Sequence, residues 1–477
     1  VIVHQAYRFA LDPTPAQARA LSAHCGAARF AFNWGLALGK AVMDQREAEA
    51  GYGIAPEDLT PPLHWSLPAL RKVWNRTKDE VAPWWAECSK ESYSSGLDGL
   101  ARALSNWSAS RNGKRAGRPM GFPRFKSKRR ASRSCRFTTG PMRVEADCRH
   151  VTLPTLGRIR THESTRKLAR RIDAGTARVL SATIRCEGGR WFCSFTCEVN
   201  RSDPPPAQPH AVIGVDLGVT HLAVLSKPLL GISDAAGFVP NPRHLAHASA
   251  ELRRRSRTVS RRQGPDKRSG DRPSRRWERA NQHRNRVHHR VANLRRDGLH
   301  KLTTALAAEY GTIVVEDLNV AGMMRNRRVA RAIADAGFAE IRRQLAYKVR
   351  WRGSRLLVAD RWFPSSKTCS DCGAVKAKLP LHVRVFRCEP CGLKIDRDLN
   401  ASRNLAKMVS CTTGTGEAGD LGSLGPKGRG ADRKTHSTWA GGCEAFTSRR
   451  ATGSVEDRTI LHSGVMPCRC GPDMVCR

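Results

Sequence analysis

Acidic residues are scarce in this sequence. Across 477 residues, 42 Asp and Glu stand against 83 Lys and Arg, a formal charge of +41. A compact protein with that excess repels itself unless a polyanion neutralises it, so nucleic acid is the expected partner. Long hydrophobic runs are missing as well. No stretch of 18 or more apolar residues occurs, which excludes a membrane-spanning helix and leaves no membrane partner to expect. Val1–Gln17 lacks a basic segment followed by an apolar one, so no secretory signal is expected. There is no internal repeat, heptad run or glycine-rich phosphate loop, which argues against a solenoid, a coiled coil or a P-loop site. What remains is an apolar content of 40% and enough length for two to four domains, so this is a folding chain and not a basic tail.

Arg outnumbers Lys 64 to 19. Guanidinium forks suit bidentate phosphate contacts and stacking on bases. The bland alternative, codon bias toward Arg in a GC-rich genome, would bear on that ratio but not on the excess of positive over negative charge. The 16 cysteines form no disulfide framework. Without a secretory signal the expected compartment is the cytosol, where regularly spaced Cys more often hold metal. Cys25, Cys88, Cys135 and Cys148 are scattered and read as core or incidental thiols.

Ala6–Leu11 alternates as a short strand. Thr14, Pro15 and Gln17 then give a capping-box helix start, and Leu21, Cys25, Ala28, Phe32 and Leu36 share one helical face. Helical pattern continues to about Trp107, with a looser loop around Gly51–Pro62. Trp84 and Trp85 read as core rather than as a stacking platform. Residues 111–136 carry eleven Lys or Arg and no acid, with Phe122 and Phe125 set among them. Such a stretch can hold phosphates and stack bases, or it can be a solvated basic loop, and composition leaves both open.

Val179–Cys186 and Trp191–Val199 form a hairpin around Glu187-Gly188-Gly189-Arg190, and Asp203-Pro204-Pro205-Pro206 marks a linker. The pattern then becomes α/β: strands at Val212–Asp216, Leu222–Leu225, Thr312–Glu316 and Leu356–Ala359, and a helix burying Phe338, Ile341, Leu345 and Val349. Between them, residues 252–296 hold seventeen Lys or Arg against three acids and turn helical through Val287, Val291 and Leu294. His288 and His289 in this stretch read as solvated surface. From about residue 410 to 477 the chain is rich in Gly, Ser and Thr without periodicity, so a disordered tail is expected; Cys468, Cys470 and Cys476 are too irregular for a metal site.

Two constellations carry chemistry. Cys369, Cys372, Cys388 and Cys391 form two CxxC knuckles fifteen residues apart, each followed by Gly. That spacing suits four thiolates around a structural Zn²⁺, with paired redox dithiols as the rival reading. The second constellation is acidic: Asp216 and Glu316 end apolar strands, and Asp398 begins a helix that Asp396 is placed to cap. Carboxylates at adjacent strand ends can converge on Mg²⁺ for phosphodiester hydrolysis, with two ions as the expected number. A strand-end carboxylate can equally cap a helix or pair with Arg.

Taken in order, Gly214-Val215-Asp216-Leu217-Gly218, Val315-Glu316-Asp317-Leu318, Phe363-Pro364-Ser365-Ser366-Lys367, the four-Cys ribbon and Asp396-Arg397-Asp398-Leu399-Asn400-Ala401 resemble the TnpB (OrfB) proteins of bacterial insertion sequences, relatives of type V CRISPR effectors. Tyr7-Arg8-Phe9 and Gly121–Lys128 match too, so the resemblance covers roughly residues 5–408. It implies a multidomain α+β protein. Residues 1–13 and 130–203 would form a β-barrel, interrupted by a helical recognition domain at 14–129 that ends in the basic loop. Residues 207–365 and 393–409 would form an RNase H/RuvC-like nuclease, and 366–392 the zinc ribbon. The implied activity is RNA-guided, Mg²⁺-dependent cleavage of DNA beside a short flanking motif. A strand-joining transposase and a non-cleaving regulator are the alternatives. Asp216, Glu316 and Asp398 take the catalytic positions, and the four cysteines take the zinc positions. Arg118, Arg124, Phe125, Lys126, Lys128 and Arg129 are the candidate nucleic-acid contacts. The implied partners are a guide RNA from the same element and double-stranded and displaced single-stranded DNA. The expected state is a monomer in the bacterial cytoplasm, at the nucleoid. Ser402 departs from the family's usual Ala, and the basic stretch 252–276 is longer than the resemblance requires.

Overall fold

The computed structural model describes residues 1–412 except 129, 130, 267 and 381. Cys468, Cys470, Cys476 and nearly all of the expected tail lie outside the described residues. The first three residues of that stretch, 410–412, instead extend the last helix to Thr412.

The chain opens with β1 (Ile2–Asp12) and α1 (Pro15–Gly51). The start of α1 is fixed locally. Thr14 Oγ1 accepts from Gln17 N–H and Gln17 Oε1 accepts from Thr14 N–H, the reciprocal pair that the spacing predicts. Next come α2 (Leu67–Val81) and α3 (Lys90–Arg111), which pack on α1 through Ala31, Phe32, Leu36, Trp74, Tyr93, Leu97 and Leu100. Of the two tryptophans expected in this core, Trp84 is 40% exposed, though its ring still meets Phe30 and Tyr93 at the surface.

The following strands are β2 (Ser134–Phe137), β3 (Arg143–Val144), β4 (His150–Leu153) and β5 (Gly157–Thr161). After α4 (Arg166–Asp173) come β6 (Ala177–Glu187) and β7 (Arg190–Asn200). They form one antiparallel sheet in the order β2-β6-β7-β1-β5-β4-β3. The first strand thus lies at its centre, pairing Ile2–Ala10 with β7 and Leu11–Asp12 with β5. The β6–β7 hairpin closes through Gly188 and Gly189, at φ 57° and 82°. Two successive positive φ values match the right-handed twist of the strands, and glycine reaches them without a Cβ clash. His289, read as solvated surface, instead packs against this turn: a Cβ on Gly188 would sit 2.3 Å from His289 Cδ2.

Past the Pro204–Pro206 linker a second sheet forms from β8 (Gln208–Asp216), β9 (His221–Leu225) and β10 (Phe238–Pro240). The basic stretch folds into two helices, α5 (His244–Ser260) and α6 (Arg275–Glu309), with Leu294 43% exposed rather than on the buried face. Then come β11 (Tyr310–Glu316), α7 (Val320–Met323), α8 (Ala330–Ala336), α9 (Phe338–Arg352) and β12 (Arg355–Ala359). The sheet order is β10-β9-β8-β11-β12, with β8, β11 and β12 parallel and β9 and β10 antiparallel. Finally β13 (Val385–Arg387) and β14 (Lys394–Asp396) make the ribbon hairpin, which runs directly into α10 (Arg397–Thr412).

Side chains alternate across this second sheet. Ile213, Val215, Ile313 and Val315 face α6 and α9, beside Leu302, Leu306, Ile341 and Leu345. Val212 and Val314 face the other way, toward Leu405 of α10. The result is three layers, helix on sheet on helix.

Candidate active site and metal centre

The same alternation decides where Asp216 and Glu316 point. Val215 pairs with Val315, so the residues after them end two neighbouring parallel strands side by side. Both share the parity of Val212 and Val314 and therefore face α10. In open α/β sheets this place, outside the carboxyl ends of strands where the sheet order reverses, is where ligands bind. Helix α10 supplies the third carboxylate from its first turn. Asp396 Oδ1 accepts from the N–H groups of Asp398 and Leu399, so Asp396 is the cap and Asp398 is left to face the sheet.

Gly214 brings α10 that close. A Cβ there would lie 1.9 Å from Ser402 O and 2.7 Å from Ala406 N, so the helix backbone rests directly on β8. Ser402 is fully buried, and its hydroxyl donates to Leu399 O at 2.8 Å inside the helix.

The electrostatics follow from this grouping. Burial pushes the Asp216 carboxyl well above the usual range, and the charges of Glu316 and Asp398 add to the push. Burial also raises Asp398, with Asp396 adding, while Arg384, Arg397 and His221 oppose. Arg384 Nη1 stands 3.5 Å from Asp398 Oδ2. Glu316 is held by Ser365, whose hydroxyl donates to Glu316 Oε1 at 2.6 Å. Asp317, next in the chain, is clamped by Arg342 and Arg361, each at 2.6 Å. The three carboxylates are close enough for Glu316 and Asp398 to act on Asp216. Among the described residues, the only set of three or more Cys, His, Asp or Glu ligand atoms all within 4.8 Å of one another is the four-cysteine cluster.

In that cluster, Cys369 Sγ lies 3.6 Å from Cys391 Sγ, and Cys372 Sγ lies 3.5 Å from Cys388 Sγ. Tetrahedral Zn–S bonds of about 2.3 Å place sulfurs about 3.8 Å apart, so the donor set fits Zn²⁺. Gly373 and Gly392 take φ 79° and 74° and fold each knuckle back. Burial raises the Cys369 thiol, but the amides of Cys372 and Asp371 and the neighbouring thiols outweigh it and bring it down to about 7. The ribbon and the carboxylate site are fastened together. On α10, Asn400 Oδ1 accepts from Ser370 N–H, Asn400 Nδ2 donates to Thr368 O, Asn404 Nδ2 donates to Ser365 O and Thr368 O, and Lys407 reaches Ser370 O.

The basic loop is not uniform. Arg118, Arg124 and Lys128 are exposed, and Phe125 is 56% exposed. Lys126 is half-buried, with Nζ 3.6 Å over the Phe32 ring and its backbone bonded both ways to Asn33. Phe122 packs edge-on against Trp107. Arg129 lies outside the described residues. The sequence reading gave no role to Ser365, Arg384, Arg342 and Arg361. Ser365 sits inside the quoted Phe363–Lys367 motif, which was the available signal; the arginines had none.

Three family models match. OrfB_IS605, described as "Probable transposase", covers residues 194–327, and "Cas12f1-like, TNB domain" covers residues 338–405. A third, described as "Helix-turn-helix domain", covers residues 3–47, where the structure has β1 followed by one unbroken helix. The chain is 43% identical over 468 residues to "Putative RNA-guided DNA endonuclease Rv2885c" of Mycobacterium tuberculosis, covering 94% of each. It is 35% identical over 416 residues to "Putative RNA-guided DNA endonuclease" of Streptomyces pristinaespiralis, covering 87% of this chain and 92% of that one. A solved Cas12f1–sgRNA–target DNA complex aligns with a TM-score of 0.29 and 14% identity, over 85% of this chain and 99% of that one.

Proposed function

The chain belongs to the OrfB (TnpB) family of insertion-sequence proteins, and we propose that it is an RNA-guided DNA endonuclease that cuts its target at Asp216, Glu316 and Asp398. One observation carries the assignment of the site. The parity of β8 and β11, with Gly214 admitting α10, gathers three carboxylates at one end of one sheet.

The donor chemistry fits Mg²⁺, a hard cation preferring oxygen ligands, and the burial of Asp216 beside the charges of Glu316 and Asp398 supports a cation there. Mg²⁺ held by Asp216, Glu316 and Asp398 would supply an activated water and stabilise the leaving oxygen. Two such ions about 3.5–4 Å apart are the arrangement that serves both the attacking and the leaving oxygen.

The other residues act on position. Ser365 fixes the rotation of the Glu316 carboxylate, and Asp396 caps α10 so that Asp398 stays directed at the sheet. Guide pairing supplies sequence specificity, while the protein holds shape and backbone. Residues 207–365 and 393–409 form the RNase H/RuvC-like nuclease core, supported by the mixed sheet with β8, β11 and β12 parallel. Residues 1–13 and 130–203 form a barrel-like body; with the helical domain at 14–129 it holds guide RNA and reads the flanking motif. Arg118, Arg124, Phe125 and Lys128 contact nucleic acid. Zn²⁺ on Cys369, Cys372, Cys388 and Cys391 is structural. The protein works as a monomer in the bacterial cytoplasm, on double-stranded DNA and its displaced strand.

The test is guided cleavage by protein purified with its RNA. Asp216→Ala, Glu316→Gln and Asp398→Ala are each expected to slow cutting on the order of a thousandfold while RNA and target binding persist. Undiminished cutting by any of the three would remove that residue from the site. A strand-joining reaction has the description "Probable transposase" in its favour. Ligated products from a donor end would support it.

A further inference from the structure

The loop that follows β12 carries an aromatic ring that the protein does not use. Ala359 pairs with Glu316, so Asp360 leaves the sheet at the same end as the carboxylates. From there the backbone is tied at nearly every step. Asp360 Oδ1 accepts from Trp362 N–H at 2.8 Å, Asp360 O accepts from Phe363 N–H at 3.1 Å, and Phe363 O accepts from Ser365 N–H at 2.8 Å. Arg361 is anchored on Asp317, Ser365 on Glu316, and Ser365 O on Asn404. Yet Trp362, in the middle of this braced loop, is 85% exposed and has no ring or cation partner among the described residues. A large apolar ring held out by a rigid backbone gains nothing from the fold itself.

We propose that Trp362 is a stacking platform for a base of the DNA strand whose backbone lies at Asp216, Glu316 and Asp398. The inference rests on the nuclease reading and gives that site a further contact. Trp362 lies three positions before Ser365, a reach of at most about 11 Å. At about 3.4 Å per nucleotide, the indole therefore lies within about three nucleotides of the phosphate to be cut. The surroundings suit a polyanion. The loop carries Arg361 and Lys367 against Asp360, and Arg384 is more than half exposed near Asp398. Stacking reads no sequence, because every base has a π face. That is the property required where the guide, and not the protein, chooses the target.

The experiment uses the full chain purified with its RNA and a matching target DNA carrying 5-iodouracil at successive positions near the cut. Irradiation is expected to attach one position to the peptide containing Trp362. Trp362→Ala should abolish that adduct and lower kcat/KM about tenfold through KM, with RNA binding unchanged. Trp362→Phe should restore most of the rate, which a merely structural role in an exposed loop would not require. Cutting and crosslinking in Trp362→Ala equal to wild type would overturn the platform. An adduct at Trp362 in a wild-type complex that cuts nothing would instead sink the nuclease reading and leave the platform standing.

Discussion

Gly214 shows how much of the site hangs on a single missing methyl. Gly214→Ala would place a Cβ 1.9 Å from Ser402 O, a contact that only a displacement of α10 relieves. The expected cost is about 1–3 kcal/mol of stability, as for other overpacked positions, together with a loss of cleavage larger than the loss of fold because Asp398 moves with the helix. Thermal denaturation beside a cleavage assay separates the two. His24 makes a second prediction at this scale. It is 2% exposed, its Nδ1 donates to Ala20 O, and its Nε2 accepts from Ser89 N–H. Burial holds its pKa below 6.5, and burial together with Lys348 does the same for His300. The unfolded chain therefore takes up protons that the folded one refuses. Stability is present above about pH 6.5 and lost as the pH falls through it. Calorimetry between about pH 7.5 and pH 5.5 should show a falling Tm, and His24→Gln should flatten part of that fall.

Helix α10 is where sheet, ribbon and chemistry meet. Its first turn holds Asp398, its flank rests on β8, and Asn400, Asn404 and Lys407 grip the loop leading into the cysteines. Stripping zinc with a chelator, or Cys369→Ser, is expected to unfold the ribbon and to loosen Asp398 and Ser365 with it. Cleavage should fall by at least tenfold while affinity for RNA changes little. Equal loss of both would mean that the ribbon supports the whole fold. Elements specified by nearby residues were legible in the sequence: the Thr14–Gln17 cap, the Gly188-Gly189 turn, the strands ending at Asp216 and Glu316, the two knuckles and the Asp396 cap. Elements specified across the fold were not. The short strands β2–β5 carry too few residues to display a period, and α5 hides its two buried residues, Leu252 and Val259, in a run of arginines. Ser365 on Glu316 and Arg384 on Asp398 depend on how β12, the ribbon and α10 pack, which no spacing along the chain encodes. Trp84 departs from the core expected of it because it follows the end of a helix, where its ring is 40% exposed.

At the scale of the molecule, the charge of +41 is concentrated where nucleic acid would lie. Residues 111–136 and 252–296 account for 28 of the 83 basic residues and only three of the 42 acidic ones. Arg253, Arg254 and Arg257 are exposed on α5. Replacing all three with Ala should weaken RNA binding and reduce the salt dependence of log K by about one unit per lost phosphate contact, with the fold intact. A fluorescence titration across salt concentrations measures it, and an unchanged slope would place the RNA elsewhere. The central claim, that this carboxylate site cuts DNA chosen by a bound RNA, meets its most direct test in one experiment. Protein purified with its RNA is given Mg²⁺ and two DNA duplexes, one matching the RNA beside a randomised flank and one scrambled. Cutting of the matched duplex alone is expected, abolished by EDTA and by combined Asp216→Ala, Glu316→Gln and Asp398→Ala. Equal cutting of both duplexes, or guided cutting by the triple variant, would contradict it.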